Sequence, residues 1–311
     1  MTRILITGGA GYIGSVLTPL LLDEGYSVTV IDKLSYERNS LVGCCKYNEF
    51  DFVEGDINNY KIINNIIDKF DIVIPLAAIV GAPASEKNTL LSRKTNLESI
   101  KDLIKLMSPS QKMIYPTTNS GYGIGKKDQY CTEETPLSPI SEYGRNKVEA
   151  EKIILNRKNS ISFRLATVFG VSPRMRTDLL VNDFTLKAVK DGYIVLFQEN
   201  FKRNYIHIND VANVFLYSIK NFEKMKDNAY NVGLEDTNIS KLELAQRIKK
   251  FLPNFSIHSA EIGEDPDKRD YIVSNKKILS TGWKTQWSLD DGIQQLIKCY
   301  KLLKTNSYTN L

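Results

Sequence analysis

The chain of 311 residues is long enough for two modest domains, or one large one with a lobe, and for a sizeable core. Its 42% apolar and 25% charged residues are typical of soluble globular proteins, and the net charge of +5 is scattered, with no basic stretch interleaved with aromatics that would indicate nucleic-acid binding. Four cysteines without paired spacing and two histidines argue against a disulfide framework and a metal site. Since no signal segment or membrane-length apolar run is evident, we expect a cytoplasmic protein without a membrane partner.

The first predicted elements are an apolar strand over residues 4–6 and an amphipathic helix, joined by a glycine-rich turn. The three glycines of this turn are Gly8, Gly11 and Gly14. Glycines between a strand and a helix allow a tight turn, a close approach to a pyrophosphate and close helix packing, while the helix N-terminus attracts the anion. A second strand over residues 28–31 ends at Asp32, where dinucleotide-binding folds place the acceptor for ribose hydroxyls.

Strands and helices alternate through the first half of the chain. We predict strands over 50–53, 71–78, 112–118 and 161–169, with helices around 62–67, 90–107 and 143–155. This alternation predicts an α/β fold with a doubly wound parallel sheet of the Rossmann type.

Beyond Gly170 the predicted segments become shorter. They comprise a helix over 181–190, strands near 193–196 and 204–208, and two helices opened by Ser240 with Glu243 and Ser288 with Asp291. We expect a dinucleotide-binding domain over 1–170 and a smaller substrate-binding lobe over 171–311, with 203–234 packing back on the first domain.

A Tyr-x-x-x-Lys pair places both side chains on one face of a helix. The sequence contains three such pairs: Tyr122/Lys126, Tyr143/Lys147 and Tyr300/Lys304. The first lies in a glycine-rich turn, and the third lies on the last helix, where we expect a solvent-exposed face. Only Tyr143/Lys147 opens a helix just past a strand's carboxyl-end loop, so it is the candidate chemical pair; an aromatic ring packed under a lysine stem is the alternative.

Taken together, these motifs resemble the extended short-chain dehydrogenase/reductases, specifically the nucleotide-sugar epimerase/dehydratase group, over nearly the whole chain. The matching positions are 7–14, Asp32, 56–57, 76–78, Asn96, Thr118, Tyr143/Lys147, 164–170, 203–207 and 281–284. Thr118 precedes Tyr143 by 25 residues, the interval that the family uses for its catalytic Ser or Thr. The resemblance implies NAD as the cofactor, a nucleotide-diphosphate sugar as the substrate, no metal, and a homodimer.

The resemblance also implies roles for individual residues. The catalytic residues would be Thr118, Tyr143 and Lys147. The cofactor would be bound by Gly8, Gly11, Tyr12, Ile13, Gly14, Asp32, Asp56, Ile57, Leu76, Ala77, Ala78, Asn96, Tyr143 and Lys147. The substrate would be bound by Thr118, Asn119, Thr167, Arg174, Asn182, Arg203 and Arg269, with a surface ion pair as the alternative for Arg203 and Arg269. Within the group, residues 164–176 and 265–270 look similar to the GDP-heptose 4-dehydrogenases of bacterial capsule synthesis, which implies a GDP-sugar.

Two departures from the family pattern bear on the reaction. The 4,6-dehydratases carry Asp-Glu after the catalytic threonine, whereas this chain has Asn119 and Ser120, an amide and a hydroxyl that cannot supply the acid and base for loss of water. Thr167 and Val80 stand where many 4-epimerases place Asn and some place Lys.

The expected chemistry is oxidation of a sugar hydroxyl at C4. Tyr143 would take the hydroxyl proton, with Lys147 and the nicotinamide ring lowering its pKa from about 10, while Thr118 holds the hydroxyl. Net oxidation is favoured, 4-epimerisation with tightly bound NAD remains open, and a non-catalytic NAD-binding sensor is the remaining alternative.

Overall fold

The computed structural model describes residues 1–36, 39–126, 128–260 and 269–303. The strands in this part are β1 (Arg3–Thr7), β2 (Ser27–Asp32), β3 (Phe50–Glu54), β4 (Ile72–Pro75), β5 (Lys112–Thr118), β6 (Tyr130–Cys131), β7 (Ser160–Leu165), β8 (Thr167–Phe169), β9 (Tyr193–Leu196), β10 (Lys202–Arg203), β11 (Tyr205–His207), β12 (Asn228–Val232), β13 (Ile239–Ser240), β14 (Ser256–Ser259) and β15 (Ile272–Val273). The α-helices are α1 (Gly14–Asp23), α2 (Tyr60–Asn64), α3 (Ala82–Lys87), α4 (Thr89–Arg93), α5 (Ser99–Leu106), α6 (Glu142–Asn156), α7 (Leu180–Lys190), α8 (Ile208–Lys220), α9 (Phe222–Met225), α10 (Lys241–Phe251), α11 (Lys276–Ser280) and α12 (Leu289–Leu302). None of these helices has both the length and the apolar character needed to cross a membrane.

Seven parallel strands form the central sheet in the order β12-β7-β5-β4-β1-β2-β3. The sheet is buried on both faces, and the three central residues of β1, Ile4, Leu5 and Ile6, have no exposed surface. The strand order reverses between β1 and β4, which is the point where such sheets open a crevice at their carboxyl ends. The structure therefore confirms the predicted doubly wound parallel sheet.

The strand predicted over 161–169 is in fact two strands. β7 ends at Leu165 in the central sheet, whereas β8 pairs with β11 in a separate two-stranded sheet. The backbone changes partners at this point: the Ala166 N–H donates to the Val232 carbonyl at 2.9 Å, and the Thr167 N–H donates to the Asn204 carbonyl at 2.9 Å. The sequence does not show this change, because no glycine or proline separates the two strands.

Two other predicted elements were too long. β4 ends at Pro75 and not at residue 78, and the helix around 62–67 is limited to α2, followed by a 3₁₀ turn. The long helix predicted over 90–107 is present as α4 and α5, joined by the π-helical segment Lys94–Glu98.

The later part of the chain contributes to two regions. α8 packs against α1, and β12 extends the central sheet beyond β7, so these elements of 203–234 lie on the first half of the chain. A second core forms between α7, α10 and α12, and both predicted capping boxes are present at the starts of α10 and α12. The expectation that Tyr300 lies on an exposed face was wrong: its side chain is fully buried in this second core, while Lys304 lies outside the described residues. The domain boundary at residue 170 stays a prediction.

Candidate active site

A cavity of about 490 Å³ opens at the carboxyl edge of the central sheet. Its lining includes Gly8, Asp32, Leu76 and Thr118, each at or just after the end of a different strand, β1, β2, β4 and β5. The cavity therefore occupies the crevice where this kind of sheet binds its ligands.

The turn between β1 and α1 is packed too closely for side chains. Gly8 has a φ of +72°, and a Cβ there would lie 2.5 Å from the backbone of Ala77. Gly14 begins α1, and a Cβ there would lie 2.4 Å from the carbonyl oxygen of Gly9. The first glycine thus brings the turn against the end of β4, and the last one brings the helix against the turn. This bare backbone at a helix N-terminus fits the pyrophosphate of a dinucleotide.

Asp32 ends β2 at the edge of the cavity. Its carboxylate accepts the Ala10 N–H at 3.0 Å and the Leu34 N–H at 2.9 Å, which holds the carboxylate in place. A carboxylate has about four acceptor positions, so capacity remains for ribose hydroxyls. Lys33 forms an ion pair with Asp56 at 3.6 Å on the same side of the cavity. These features fit the adenosine half of NAD.

Thr118, Tyr143 and Lys147 line the same cavity. Thr118 is the last residue of β5, and its Oγ1 accepts the Ser120 N–H at 3.1 Å. Ser141 caps α6 by accepting the Gly144 N–H at 3.1 Å, so Tyr143 and Lys147 fall in the first two turns of that helix. The predicted trio is thus brought together from the end of a strand and the start of a helix. At the other two Tyr-x-x-x-Lys positions, the Tyr122 pair falls in a turn that ends at Gly123, with no helix between its two residues, and the Tyr300 pair is only half described.

The charges around the trio differ from the expectation. Burial lowers the pKa of Lys147 from 10.5 to about 7, which Glu151 partly opposes. Burial also raises the pKa of Tyr143, and the cations that lower it are Arg176 and Arg269. Lys147 is not among the groups that lower the pKa of Tyr143 here, so the prediction that Lys147 and the nicotinamide ring together lower it stays a prediction.

A buried ion pair between Glu151 of α6 and Arg164 of β7 connects this helix to the central sheet. Arg164 donates from Nη2 to Oε1 of Glu151 at 2.8 Å, and the hydroxyls of Thr117 and Ser162 donate to Oε2 of Glu151 at 2.6 and 2.7 Å. Glu151 lies one helical turn beyond Lys147, so it can favour the charged form of that lysine. Sequence reasoning missed Glu151, although its spacing from Lys147 places it on the same helix face.

Within the described part of the chain, three arginines line the cavity. Arg269 donates from Nη1 to Oγ of Ser120, next to Thr118. The guanidinium carbon of Arg174 lies 4.0 Å from the ring centroid of Tyr36. Arg176 pairs with Asp178, its Nε lying 3.1 Å from Oδ1. Arg176 was not selected from the sequence, although a loop with two arginines two residues apart, just past Gly170, was a signal for it.

Four residues predicted to contact ligands lie behind the cavity lining, each at most 2% exposed: Asn96, Asn119, Asn182 and Arg203. Asn96 accepts the Ile79 N–H at 2.8 Å and donates to the Ile79 carbonyl at 2.8 Å. A side-chain amide matches a backbone N–H and C=O in this way, so Asn96 holds the loop after β4, and its contact with the cofactor stays a prediction.

The Asn182 side chain also holds a loop, the one after β8, by hydrogen bonds to backbone groups. It accepts the Gly170 N–H at 3.0 Å and donates to the Arg176 carbonyl at 2.7 Å. Arg203 stacks behind the cavity residue Tyr271, its guanidinium carbon 5.5 Å from the ring centroid. Both side chains are buried in these positions, and their contacts with the substrate stay predictions.

Asn119 differs from the other three. Its side-chain nitrogen and oxygen are both buried, and neither has a hydrogen-bond partner within the described part of the chain. A buried amide without hydrogen bonds destabilises the folded protein by about 1–3 kcal/mol. The Asn119 side chain, next to Thr118, therefore has a donor and an acceptor that make no hydrogen bond among the described residues.

Residues 4–233 match the sequence profile of the NAD dependent epimerase/dehydratase family. The chain belongs to this family. NAD is the family's cofactor, and the glycine turn and Asp32 fit it. Curated relatives include a UDP-glucose 4-epimerase of Lactobacillus helveticus, 27% identical over 96% of this chain and 97% of that protein. A CDP-paratose 2-epimerase of Salmonella typhi is 26% identical over 94% of this chain and 98% of that protein.

The fold also matches solved structures of the family. The crystal structure of the Thermus thermophilus UDP-glucose 4-epimerase in complex with NAD superimposes with a TM-score of 0.83 at 22% identity, covering 97% of this chain and 99% of that one. At this identity the likeness shows the fold alone, which agrees with the predicted Rossmann architecture.

Proposed function

We propose that the protein oxidises the C4 hydroxyl of a nucleotide-diphosphate sugar to a 4-keto sugar. The observation that carries this proposal is the meeting of Thr118, Tyr143 and Lys147 in the cavity that also contains the glycine turn and Asp32. The glycine turn and Asp32 would hold NAD there, and the bound cofactor would supply the acceptor for the hydride of the sugar carbon.

The chain's own residues handle the proton. Tyr143 begins protonated, since burial raises its pKa, and it must accept the hydroxyl proton as the C–H bond breaks. Arg176 and Arg269 favour its phenolate form, and Thr118 positions the sugar hydroxyl at hydrogen-bonding distance. Lys147 changes charge near neutral pH and would hold the cofactor ribose beside Tyr143.

The substrate proposal rests on charge and on resemblance. Arg176 and Arg269 line the cavity near Tyr143, and arginine is well suited to bind a diphosphate with charge-assisted hydrogen bonds. The resemblance of 164–176 and 265–270 to the GDP-heptose 4-dehydrogenases makes a GDP-heptose-like sugar the first substrate to test, as a precursor for surface or capsule polysaccharide; 265–268 lie outside the described residues. A homodimer is part of the same proposal.

A 4-epimerase that retains its ketone and NAD is the second candidate, because the relatives above include a 4-epimerase. A dehydratase is disfavoured: Asn119 and Ser120 replace the acid pair, and Ser120 already contacts Thr118 and Arg269. A non-catalytic sensor would not need the complete trio of Thr118, Tyr143 and Lys147.

The test is to incubate the purified protein with NAD and a panel of GDP-, UDP-, CDP- and dTDP-sugars. Reduced cofactor that accumulates together with a sugar lighter by two hydrogens supports net oxidation. An unchanged mass with a changed sugar proton spectrum makes the protein an epimerase, and a loss of water makes it a dehydratase. Binding of NAD without turnover of any sugar would refute the enzymatic proposal.

A further inference from the structure

The segment that follows β8 is bound to the glycine turn by side-chain hydrogen bonds. The Tyr12 hydroxyl donates to the Gly170 carbonyl at 2.7 Å, and the Ser172 hydroxyl donates to the Tyr12 carbonyl at 2.8 Å. The hydroxyls of Ser15 and Ser172 are 2.9 Å apart, and Ser15 Oγ accepts the Arg174 N–H at 3.3 Å. All of these contacts are buried, so the backbone of Arg174 is held against the first turn of α1.

From this position the Arg174 side chain lines the cavity, and its Nη1 donates to the Met175 carbonyl. The residue is only 2% exposed and lines the cavity, and its guanidinium lies over the ring of Tyr36. Tyr36 belongs to the loop that follows Asp32, and it also lines the cavity. The Arg174–Tyr36 contact therefore joins the segment after β8 to the loop after Asp32, on the adenosine side of the site.

The other two cavity arginines are placed differently. Arg269 contacts Ser120 beside the catalytic threonine, and Arg176 acts on Tyr143. Arg269 therefore belongs to the part of the cavity where the sugar must react, whereas Arg176 pairs with Asp178 and influences the pKa of both Tyr12 and Tyr143. Of the three described arginines, Arg174 is the one whose backbone is hydrogen-bonded to the first turn of α1, where the dipole and the N–H groups of the helix favour a pyrophosphate.

We propose that Arg174 binds the pyrophosphate of NAD, with Tyr36 stacked on the guanidinium as a cover, and that it is not a ligand of the substrate diphosphate. The inference rests on the proposed use of NAD. Stacking engages the face of the guanidinium, whereas the hydrogen bond to the Met175 carbonyl and those to phosphate oxygens lie along its edge, so the contacts are compatible. The same arrangement would slow release of NAD, because the cofactor leaves only after the contact between Arg174 and Tyr36 opens.

The test compares ligands that differ in the pyrophosphate. Nucleotide-free protein is titrated calorimetrically with NAD, ADP-ribose and adenosine, and NAD-saturated protein is titrated with GDP and UDP. Arg174→Met should weaken the binding of NAD and ADP-ribose by about tenfold to a hundredfold, which is the effect of losing a charge-assisted hydrogen bond. The affinity for adenosine should not change. The nucleoside diphosphates should bind the NAD-saturated variant as they bind the wild type. Arg247→Met is the control, since Arg247 pairs with Asp290 outside the cavity.

Two further variants keep the test decisive if Arg174→Met does not fold. Arg174→Lys keeps the charge but loses the planar set of guanidinium donors, so it should weaken NAD binding severalfold. Tyr36→Leu should speed NAD dissociation. Unchanged NAD affinity in both arginine variants, or a loss confined to GDP and UDP, overturns the inference. Wild-type protein that binds no NAD would instead refute the proposed function, so the two failures are distinguishable.

Discussion

Replacement of Lys147 by methionine should abolish activity and at the same time stabilise the protein. Lys147 is 4% exposed, and burial lowers its pKa from 10.5 to about 7. A lysine with a lowered pKa binds fewer protons in the folded chain than in the unfolded chain between these two pH values. The stability of the wild type therefore rises with pH from about 7 to about 10.5, and the burial cost is full below that window.

The size of the effect follows from the same residues. At about 1.4 kcal/mol per pKa unit, the difference between 10.5 and about 7 corresponds to about 5 kcal/mol. The Lys147 Nζ lies 4.0 Å from the ring centroid of Tyr115, and such a contact stabilises the charged form by up to about 2 kcal/mol in a buried site. Methionine has a similar length and no charge. We therefore expect Lys147→Met to raise the free energy of unfolding by about 3 kcal/mol at pH 6.5.

Urea unfolding at pH 6.5 and pH 9, without cofactor, measures the gain in the free energy of unfolding and its pH dependence. The gain should be largest at pH 6.5 and about half as large at pH 9, since the wild type recovers stability as Lys147 loses its proton. Lys152→Met is the matched control, because Lys152 lies on the same helix but is exposed. A Lys147→Met protein that is less stable than the wild type at pH 6.5, or a gain that does not change with pH, would refute this reasoning.

Three further changes test other parts of the site. The Asp32 carboxylate should repel a 2′-phosphate, and Lys33 is paired with Asp56, so NAD should bind at least about tenfold more tightly than NADP; equal affinities in a titration would contradict this. Tyr143→Phe should lower turnover about a thousandfold and leave NAD affinity nearly intact, and wild-type turnover in that variant would place the chemistry elsewhere. Glu151→Gln leaves a buried arginine without its carboxylate and should lower the free energy of unfolding by about 3–5 kcal/mol in urea; a loss below about 1 kcal/mol would show that the pair is not structurally important.

The parts of the site that depend on local geometry could be predicted from the sequence. The glycine turn needs only a strand, three glycines and a helix in order, and Tyr143 and Lys147 need only one helix to share a face. Asp32 follows from the end of one strand. Each of these signals is complete within a few residues of chain, so no knowledge of distant contacts is required.

Residues whose roles depend on distant contacts could not be placed in this way. Asn96 and Asn182 carry the same amide whether it meets a ligand or a backbone loop, and their partners are set by tertiary packing. Tyr300 was expected on an exposed face because the sequence does not show which helices cover α12. The positions of Tyr36 and Arg176 in the cavity likewise depend on how loops after β2 and β8 fold over the sheet.

The most direct test of C4 oxidation uses a GDP-sugar deuterated at C4, incubated with the purified protein and NAD. Mass spectrometry then follows the label in both the cofactor and the sugar. The proposed reaction predicts reduced cofactor that carries the deuterium and a keto sugar that has lost it. Unlabelled reduced cofactor, or a sugar that retains all of its deuterium after turnover, would contradict net oxidation at C4.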